Sequence, residues 1–86
     1  MDFLKVRIVT PKKVLYQTEA YSVSSVNSAG KFDILPEHAN FITIVENEDI
    51  KVVDSIKQSI DFHFPLAIIY TSKNQVNIYT NIPVSE

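Results

Sequence analysis

The chain has 86 residues, a formal net charge of −2 and no cysteine. The absence of cysteine excludes disulfides, thiol catalysis and thiolate metal sites, and the slight negative charge gives no general attraction to nucleic acid or anionic lipid. Valine and isoleucine together number 21, against 8 for alanine and leucine. Because β-branched side chains pack well on a pleated surface, this composition predicts an all-β protein with a single domain over residues 1–86.

In chain order, hydrophobic alternation divides the sequence into short strands. The first strand carries Leu4, Val6 and Ile8 on one face and charged residues on the other, which is typical of a half-buried strand. We expect the strand at 41–45 to be mostly buried and the apolar run at 66–71 to be covered on both faces. The predicted strands lie at 3–9, 14–16, 19–26, 31–35, 41–45, 50–54, 60–64, 66–71 and 76–82.

Turn signals separate these strands. Pro11, Pro36 and Pro65 interrupt the strand patterns because proline cannot donate to a central ladder, and the polar stretch Glu46–Asp49 indicates a turn. With one glycine in the chain, positive φ angles are expected mostly on asparagine and aspartate. Short strands at intervals of about ten residues predict an antiparallel sandwich or barrel, followed by a tail from Pro83.

The sequence carries no pattern for a catalytic, cofactor or metal site. One glycine is too few for a phosphate-cradling loop. His38 and His63 have no acidic cluster patterned around them and are interpreted as structural or solvated. Asp33 and Glu37 could act as a carboxylate pair, but two acids across a proline turn are more often solvated. Serine, histidine and aspartate are present without any feature that marks a nucleophile, so we predict a protein that is not an enzyme and holds no cofactor or metal.

One basic concentration comprises Lys5, Arg7, Lys12 and Lys13. These residues could face an anion or an RNA. No aromatic side chain stands among them as a platform for stacking bases, so an ordinary solvated strand face and turn is favoured. We therefore expect no nucleic-acid partner.

Membrane insertion and secretion are not indicated either. The longest apolar run, Phe64–Tyr70, is far shorter than the roughly 20 residues that span a bilayer, and the strand pattern at the start of the chain leaves no visible secretory signal. We expect a protein that is intracellular and soluble when isolated.

The stretch from Gly30 to Phe41 contains the one glycine and interrupts the regular alternation. Its pattern of apolar positions, proline and His-Ala resembles the signature of the amino-terminal domain of the F-type ATP synthase epsilon subunit, called delta in mitochondria. That signature has a glycine, a hydrophobic residue, a glycine, two hydrophobic residues, a proline, a variable residue and then His-Ala-Pro. The matching residues here are Gly30, Phe32, Ile34, Leu35, Pro36, His38 and Ala39.

The chain departs from this family pattern at several points. Asp33 stands where the family usually has glycine, Asn40 replaces the proline after His-Ala, and Leu66-Ala67 stands where the family often has a Gly-Gly pair. The carboxy-terminal helical hairpin of the family has no counterpart in this sequence, so its inhibitory movement and nucleotide binding are not carried over. The pattern is that of a divergent, β-domain-only member.

The resemblance implies a flattened β-sandwich of ten strands, so that the two lines of reasoning together predict about eight to ten. It also implies a non-catalytic central-stalk subunit of an F-type or F-like rotary ATPase. The implied partners are a gamma-like stalk subunit and the alpha and beta subunits within the complex, and the membrane c-ring is a further candidate partner. The implied location is the cytoplasmic face of a membrane or its organelle equivalent. The implied partner-binding residues are Lys31, Glu37, His38, Asn40 and Phe41.

Two other functions stay open at this point. A free-standing β-sandwich adaptor could bind an unrelated protein through an edge strand or through the loop at Phe41. A small hydrolase would require turnover that depends on His38.

Overall fold

The structure is a computed structural model that describes residues 3–80. The all-β prediction is confirmed, because every regular element in this range is a strand. The same range holds no helix that is long and apolar enough to cross a membrane. The predicted strand residue Ile82 and the tail from Pro83 lie outside the described residues. The strands are β1 (Leu4–Val9), β2 (Val14–Asn27), β3 (Gly30–Ile34), β4 (Phe41–Asp54), β5 (Ser59–Ser72) and β6 (Gln75–Thr80).

Five strands close into a ring, in the order β1, β6, β5, β4, β2 and back to β1, while β3 pairs with β2 outside it. Neighbours in the ring run antiparallel except β1 and β6, which run parallel. The sequence predicted an antiparallel sandwich or barrel, and the β1–β6 pair is the departure from that antiparallel arrangement within the described residues. The reason is geometric, since directions cannot alternate around a closed ring of five strands and one neighbouring pair must be parallel.

Residues 3–80 form six strands where the sequence predicted eight to ten, because three of the six are 14 residues long. Each long strand joins two segments predicted to be separate: 14–16 with 19–26, 41–45 with 50–54, and 60–64 with 66–71. Within each long strand the face that points inward changes once. In β4, for example, Val45 and Ile50 are both buried although they are five positions apart. In a regular strand, residues an odd number of positions apart point to opposite faces.

Specific backbone features cause these changes of face. In β2 the register with β4 shifts between Ala20 and Ser22, as at a β-bulge. In β4, Asn47 adopts φ +53°. Opposite it in β5 stands Pro65, which a strand tolerates at an irregular position because no ladder hydrogen bond is required of it there. The polar stretch predicted as a turn is thus a corner inside a continuous strand.

The core is made of aliphatic side chains from the five strands of the ring and from Ile34 of β3. Leu4, Val6 and Ile8 are fully buried, as their alternation predicts. Aromatic rings of Tyr16, Phe32, Phe41, Phe62 and Phe64 pack against it while remaining partly exposed. The buried hydrophobic residues are Leu4, Val6, Ile8, Ala20, Val23, Ile34, Val45, Ile50, Val52, Ala67, Ile69, Val76 and Ile78.

Positive φ angles fall on asparagine less often than expected. Asn47 and Asn74 adopt them, but so do Glu37, Lys57 and Lys73. Long side chains are tolerated there because the surrounding hydrogen bonds impose the turn. At Lys57, for instance, the buried carboxylate of Asp54 accepts the N–H groups of the residues on either side, Ile56 at 3.0 Å and Gln58 at 2.8 Å.

Candidate partner-binding surfaces

The first surface begins at the turn between β2 and β3. The side-chain oxygen of Asn27 accepts the N–H of Ala29 at 2.9 Å, which closes an Asx turn. Gly30 follows with φ +120°, and a Cβ atom added to it would have no heavy atom within 4 Å. The backbone conformation, and not the space available, therefore requires glycine at this position.

The loop after β3 is a tight turn over residues 35–38. The N–H of His38 donates to the carbonyl of Leu35 at 3.1 Å. With proline at the second position and φ +66° at Glu37, the turn has the features of type II, in which glycine or asparagine normally occupies the third position. A left-handed residue with a side chain costs about 1–2 kcal/mol, so other contacts must hold Glu37 in this conformation.

The structure brings three of the five predicted partner-binding residues together. His38 lies 5.6 Å from Phe41, ring centre to ring centre, and its Nδ1 lies 2.7 Å from the carbonyl oxygen of Ala39. Because a carbonyl can only accept, this nitrogen carries the proton. Glu37 precedes this pair in the turn and is exposed.

The other two predicted residues, Lys31 and Asn40, are exposed and stand outside the group formed by Glu37, His38 and Phe41. Asn40 stands in the loop immediately before β4, and Lys31 lies in β3 opposite Val26. Phe32 follows Lys31 in β3, and its ring centre lies 5.4 Å from that of Phe41. The two phenylalanine rings therefore pack β3 against the start of β4.

The family departure at Asp33 is accommodated in an extended strand. Asp33 has a negative φ, and its carboxylate accepts the hydroxyl of Ser24, opposite in β2, at 2.5 Å. A carboxylate pair of Asp33 and Glu37, which the sequence disfavoured, gains no support, because Asp33 bonds to Ser24 of β2 whereas the backbone of Glu37 bonds to Asn74.

The second histidine, His63, lies in β5 opposite Asp49 of β4. Its Nδ1 is 2.8 Å from the Asp49 carboxylate, with both side chains more than half exposed. A pair this exposed contributes at most about 1 kcal/mol to stability. Residues 3–80 contain no group of three or more histidine or acidic side chains arranged to hold a metal ion.

The predicted basic residues divide between two places. Lys5 and Arg7 project from β1 into a polar groove lined also by Gln17, Gln75 and Asn77. Lys12 and Lys13 lie in the turn before β2, where the Thr10 side chain accepts both of their N–H groups.

A second surface was not predicted from the sequence. Ile42 is 67% exposed and Ile44 is 54% exposed, so the expectation that 41–45 is mostly buried was wrong. The run at 66–71 is fully buried on one face only, because on the other face Leu66 and Ile68 are half-buried and Tyr70 is 41% exposed. Cross-strand pairs place these side chains together across β4, β5 and β6. We call this surface the apolar face, and its members are Ile42, Ile44, Ile68, Tyr70 and Tyr79.

A groove of about 700 Å³ runs along one side of the apolar face. Val26 lies on its far side, at the end of β2, and Ile42, Ile44 and Ile68 contribute its apolar floor. Asn27 spans the gap, since its side-chain nitrogen donates to the Thr43 hydroxyl at 3.0 Å.

The rim of this groove is acidic. Glu46 and Glu48 line it and are exposed, while no lysine or arginine within the described part of the chain lines it. Alternation could have revealed only part of this surface, because an outward isoleucine in a strand looks the same in sequence whether a partner or the same chain covers it.

Comparison with known proteins shows to which family the chain belongs. The model of the family described as ATP synthase, Delta/Epsilon chain, beta-sandwich domain matches residues 3–85. The ATP synthase epsilon chain of a Nitratiruptor species is 36% identical over 62 residues, which are 70% of this chain and 48% of that relative. The ATP synthase epsilon chain of Sulfurimonas denitrificans is 44% identical over 46 residues, 54% of this chain and 35% of the relative. The chain thus spans about a third to a half of the length of these relatives.

Solved structures share the fold. A chain in the mitochondrial ATP synthase of Euglena gracilis, in an assembly that includes the c-ring, superimposes with a TM-score of 0.84 at 10% identity, over 93% of this chain and 51% of that chain. A chain in the central stalk and c-ring assembly of the Tetrahymena thermophila mitochondrial ATP synthase gives a TM-score of 0.73 at 13% identity, over 92% and 63% of the two chains.

Proposed function

Because this chain belongs to the family of ATP synthase delta/epsilon β-sandwich domains, we propose that it is a non-catalytic subunit of the central stalk of an F-type or F-like rotary ATPase. The observation that carries the proposal is the family match over residues 3–85, which includes both candidate surfaces. The subunit acts within a peripheral complex that contains alpha and beta subunits, at the cytoplasmic face of a membrane or its organelle equivalent.

We propose that the apolar face binds a gamma-like stalk subunit. Exposed apolar side chains in contiguous positions are a common mark of a protein interface. A bound partner would cover Ile42 and Ile44 at the centre of this surface and exclude water from them, while Glu46 and Glu48 form an acidic rim. A partner segment with apolar side chains flanked by lysine or arginine fits this arrangement, because complementary charges at the rim favour correct orientation.

We call the surface formed by Lys31, Glu37, His38, Asn40 and Phe41 the loop surface, and we propose that it faces the membrane rotor ring. Lys31, Glu37, His38 and Asn40 offer polar side chains there, and the Phe41 ring packs beside the rings of His38 and Phe32. Leu35, which is 54% exposed, adds an apolar contact that the sequence did not indicate. The side chains can hydrogen bond or form ion pairs with a polar loop of a partner.

The fold suits a mechanical role. In the closed ring of β1, β6, β5, β4 and β2, each strand is hydrogen bonded on both sides over part of its length. Shear between two bound partners is therefore opposed by several ladders at once. Torque transmission of this kind requires a rigid body with two separate contact surfaces.

The test is co-purification of the native chain from its source. We expect gamma, alpha and beta subunits of one rotary ATPase to accompany it, and c-ring subunits if the loop surface meets the rotor ring. Recovery of the chain with none of these subunits, under conditions that keep the ATPase intact, would overturn the proposal.

An unrelated adaptor function rests on one observation. Of the described strands, β3 pairs only with β2, so its other edge is free to accept an extended peptide. The edge is only five residues long and carries Lys31 and Asp33, features by which proteins discourage strand addition. The stalk function is therefore the one we propose.

A further inference from the structure

The turn between β5 and β6 is connected to the loop surface by one side chain. The side-chain oxygen of Asn74 accepts the backbone N–H of Glu37 at 2.5 Å, across 37 positions of sequence. This N–H has no role in the turn that contains it, because that turn is closed by the N–H of His38. Asn74 thus satisfies a backbone group that the loop itself leaves free.

Asn74 is itself held firmly. Lys73 and Asn74 adopt φ +50° and φ +61°, and Ser72 pairs with Gln75, so the β5–β6 connection is a two-residue hairpin of the I′ type. The backbone carbonyl of Asn74 also accepts the N–H of Lys5 at 2.8 Å, which anchors the hairpin to β1. The backbone of this residue therefore belongs to the rigid ring, while its side chain reaches the loop.

The Glu37 backbone needs such an anchor. Its left-handed conformation is unfavourable for a residue with a side chain, and strained residues persist only when the surroundings determine them strongly. A hydrogen bond from the rigid β5–β6 hairpin supplies that determination at the strained residue.

We propose that Asn74 is a positioning residue, which fixes the Glu37 turn in the conformation that binds the partner. It need not touch the partner itself. This inference rests on the proposed function of the loop surface and adds the means by which the turn is held. Loss of the Asn74 side chain leaves Glu37 free to leave the left-handed conformation, so the partner must then order the loop at a cost in affinity.

Two substitutions distinguish the role of the Asn74 side chain from that of the hairpin backbone. Asn74→Gly removes the acceptor oxygen but keeps the positive φ that the I′ turn requires. Asn74→Asp keeps both an acceptor and tolerance of positive φ. Both variants retain the backbone bond to Lys5, so the hairpin should fold in each.

The experiment uses the full chain, purified c-ring as the binding probe, and amide hydrogen exchange at Glu37. For Asn74→Gly we expect exchange at the Glu37 amide to be roughly 2- to 10-fold faster and ring binding to weaken by a similar factor, as for the loss of one hydrogen bond. Asn74→Asp should keep both amide exchange at Glu37 and ring binding at their wild-type values. Unchanged exchange, or unchanged ring binding by Asn74→Gly, overturns the inference. If the wild-type chain itself fails to bind the ring, the proposed function of the loop surface fails instead.

Discussion

The apolar face allows a quantitative prediction of its binding energy. Full burial of an isoleucine side chain is worth about 1.5–3 kcal/mol, and Ile42 and Ile44 retain 67% and 54% of their accessible surface for a partner to cover. Each should therefore contribute about 1–2 kcal/mol to binding of the gamma-like subunit. Replacing both with threonine, which keeps the β-branched shape that a strand favours, should weaken binding by about 2–3 kcal/mol, or roughly 30- to 150-fold in Kd.

The assay is titration of the purified gamma-like subunit into the wild-type chain and the double variant Ile42→Thr/Ile44→Thr, by calorimetry. A matched control is Ile56→Thr, since Ile56 is 71% exposed but lies in the turn between β4 and β5, outside the apolar face. The control should bind as the wild type does. Equal losses in the control and the double variant, or wild-type affinity in the double variant with its melting temperature preserved, would refute the assignment of the apolar face.

Three further predictions concern the loop and the turns. Phe32→Ala should lower the free energy of unfolding by about 2–3 kcal/mol, measured by urea denaturation, because the ring is only partly buried beside Phe41. A loss below about 1 kcal/mol would show that this contact does not stabilise the packing of β3 against β4. Glu37→Gly should raise stability by about 1 kcal/mol by removing left-handed strain, while weakening ring binding; lower stability than in Glu37→Ala would contradict the strain. Asp54→Ala should cost about 2–3 kcal/mol because two N–H groups lose their acceptor; Asp54→Asn, which keeps an acceptor oxygen, should cost less, and equal losses would contradict this account.

The strands and most of the core could be predicted from the sequence because alternation of apolar and polar side chains records which face is buried. Leu4, Val6 and Ile8 show this relation directly. The lengths of the strands could not be predicted. When a bulge or a left-handed residue such as Asn47 shifts the inward face by one position, the pattern is interrupted, and the interruption looks the same as a turn.

The candidate site could be predicted only in part. The loop was located because glycine, proline and histidine stand close together there, but the contacts of the Phe41 ring with His38 and Phe32 were not predicted. The anchoring of Glu37 by Asn74 depends on a contact across 37 residues, which no local pattern records. The apolar face was missed because isoleucine at positions 42 and 44 satisfies the expectation of a buried strand equally well.

The parallel pair has a consequence for how the protein folds. It joins β1 to β6, the first and last of the described strands, with Lys5 opposite Gln75. Long-range pairings of this kind form late because the intervening chain must first lose much of its freedom. During synthesis, the hairpin of β4 and β5 can assemble as soon as both strands have emerged, but β1 must wait for residues 75–80 before its second edge is covered. A ribosome-bound chain lacking β6 should therefore expose that edge, and the wall of the ring should gain its resistance to proteolysis in one late step.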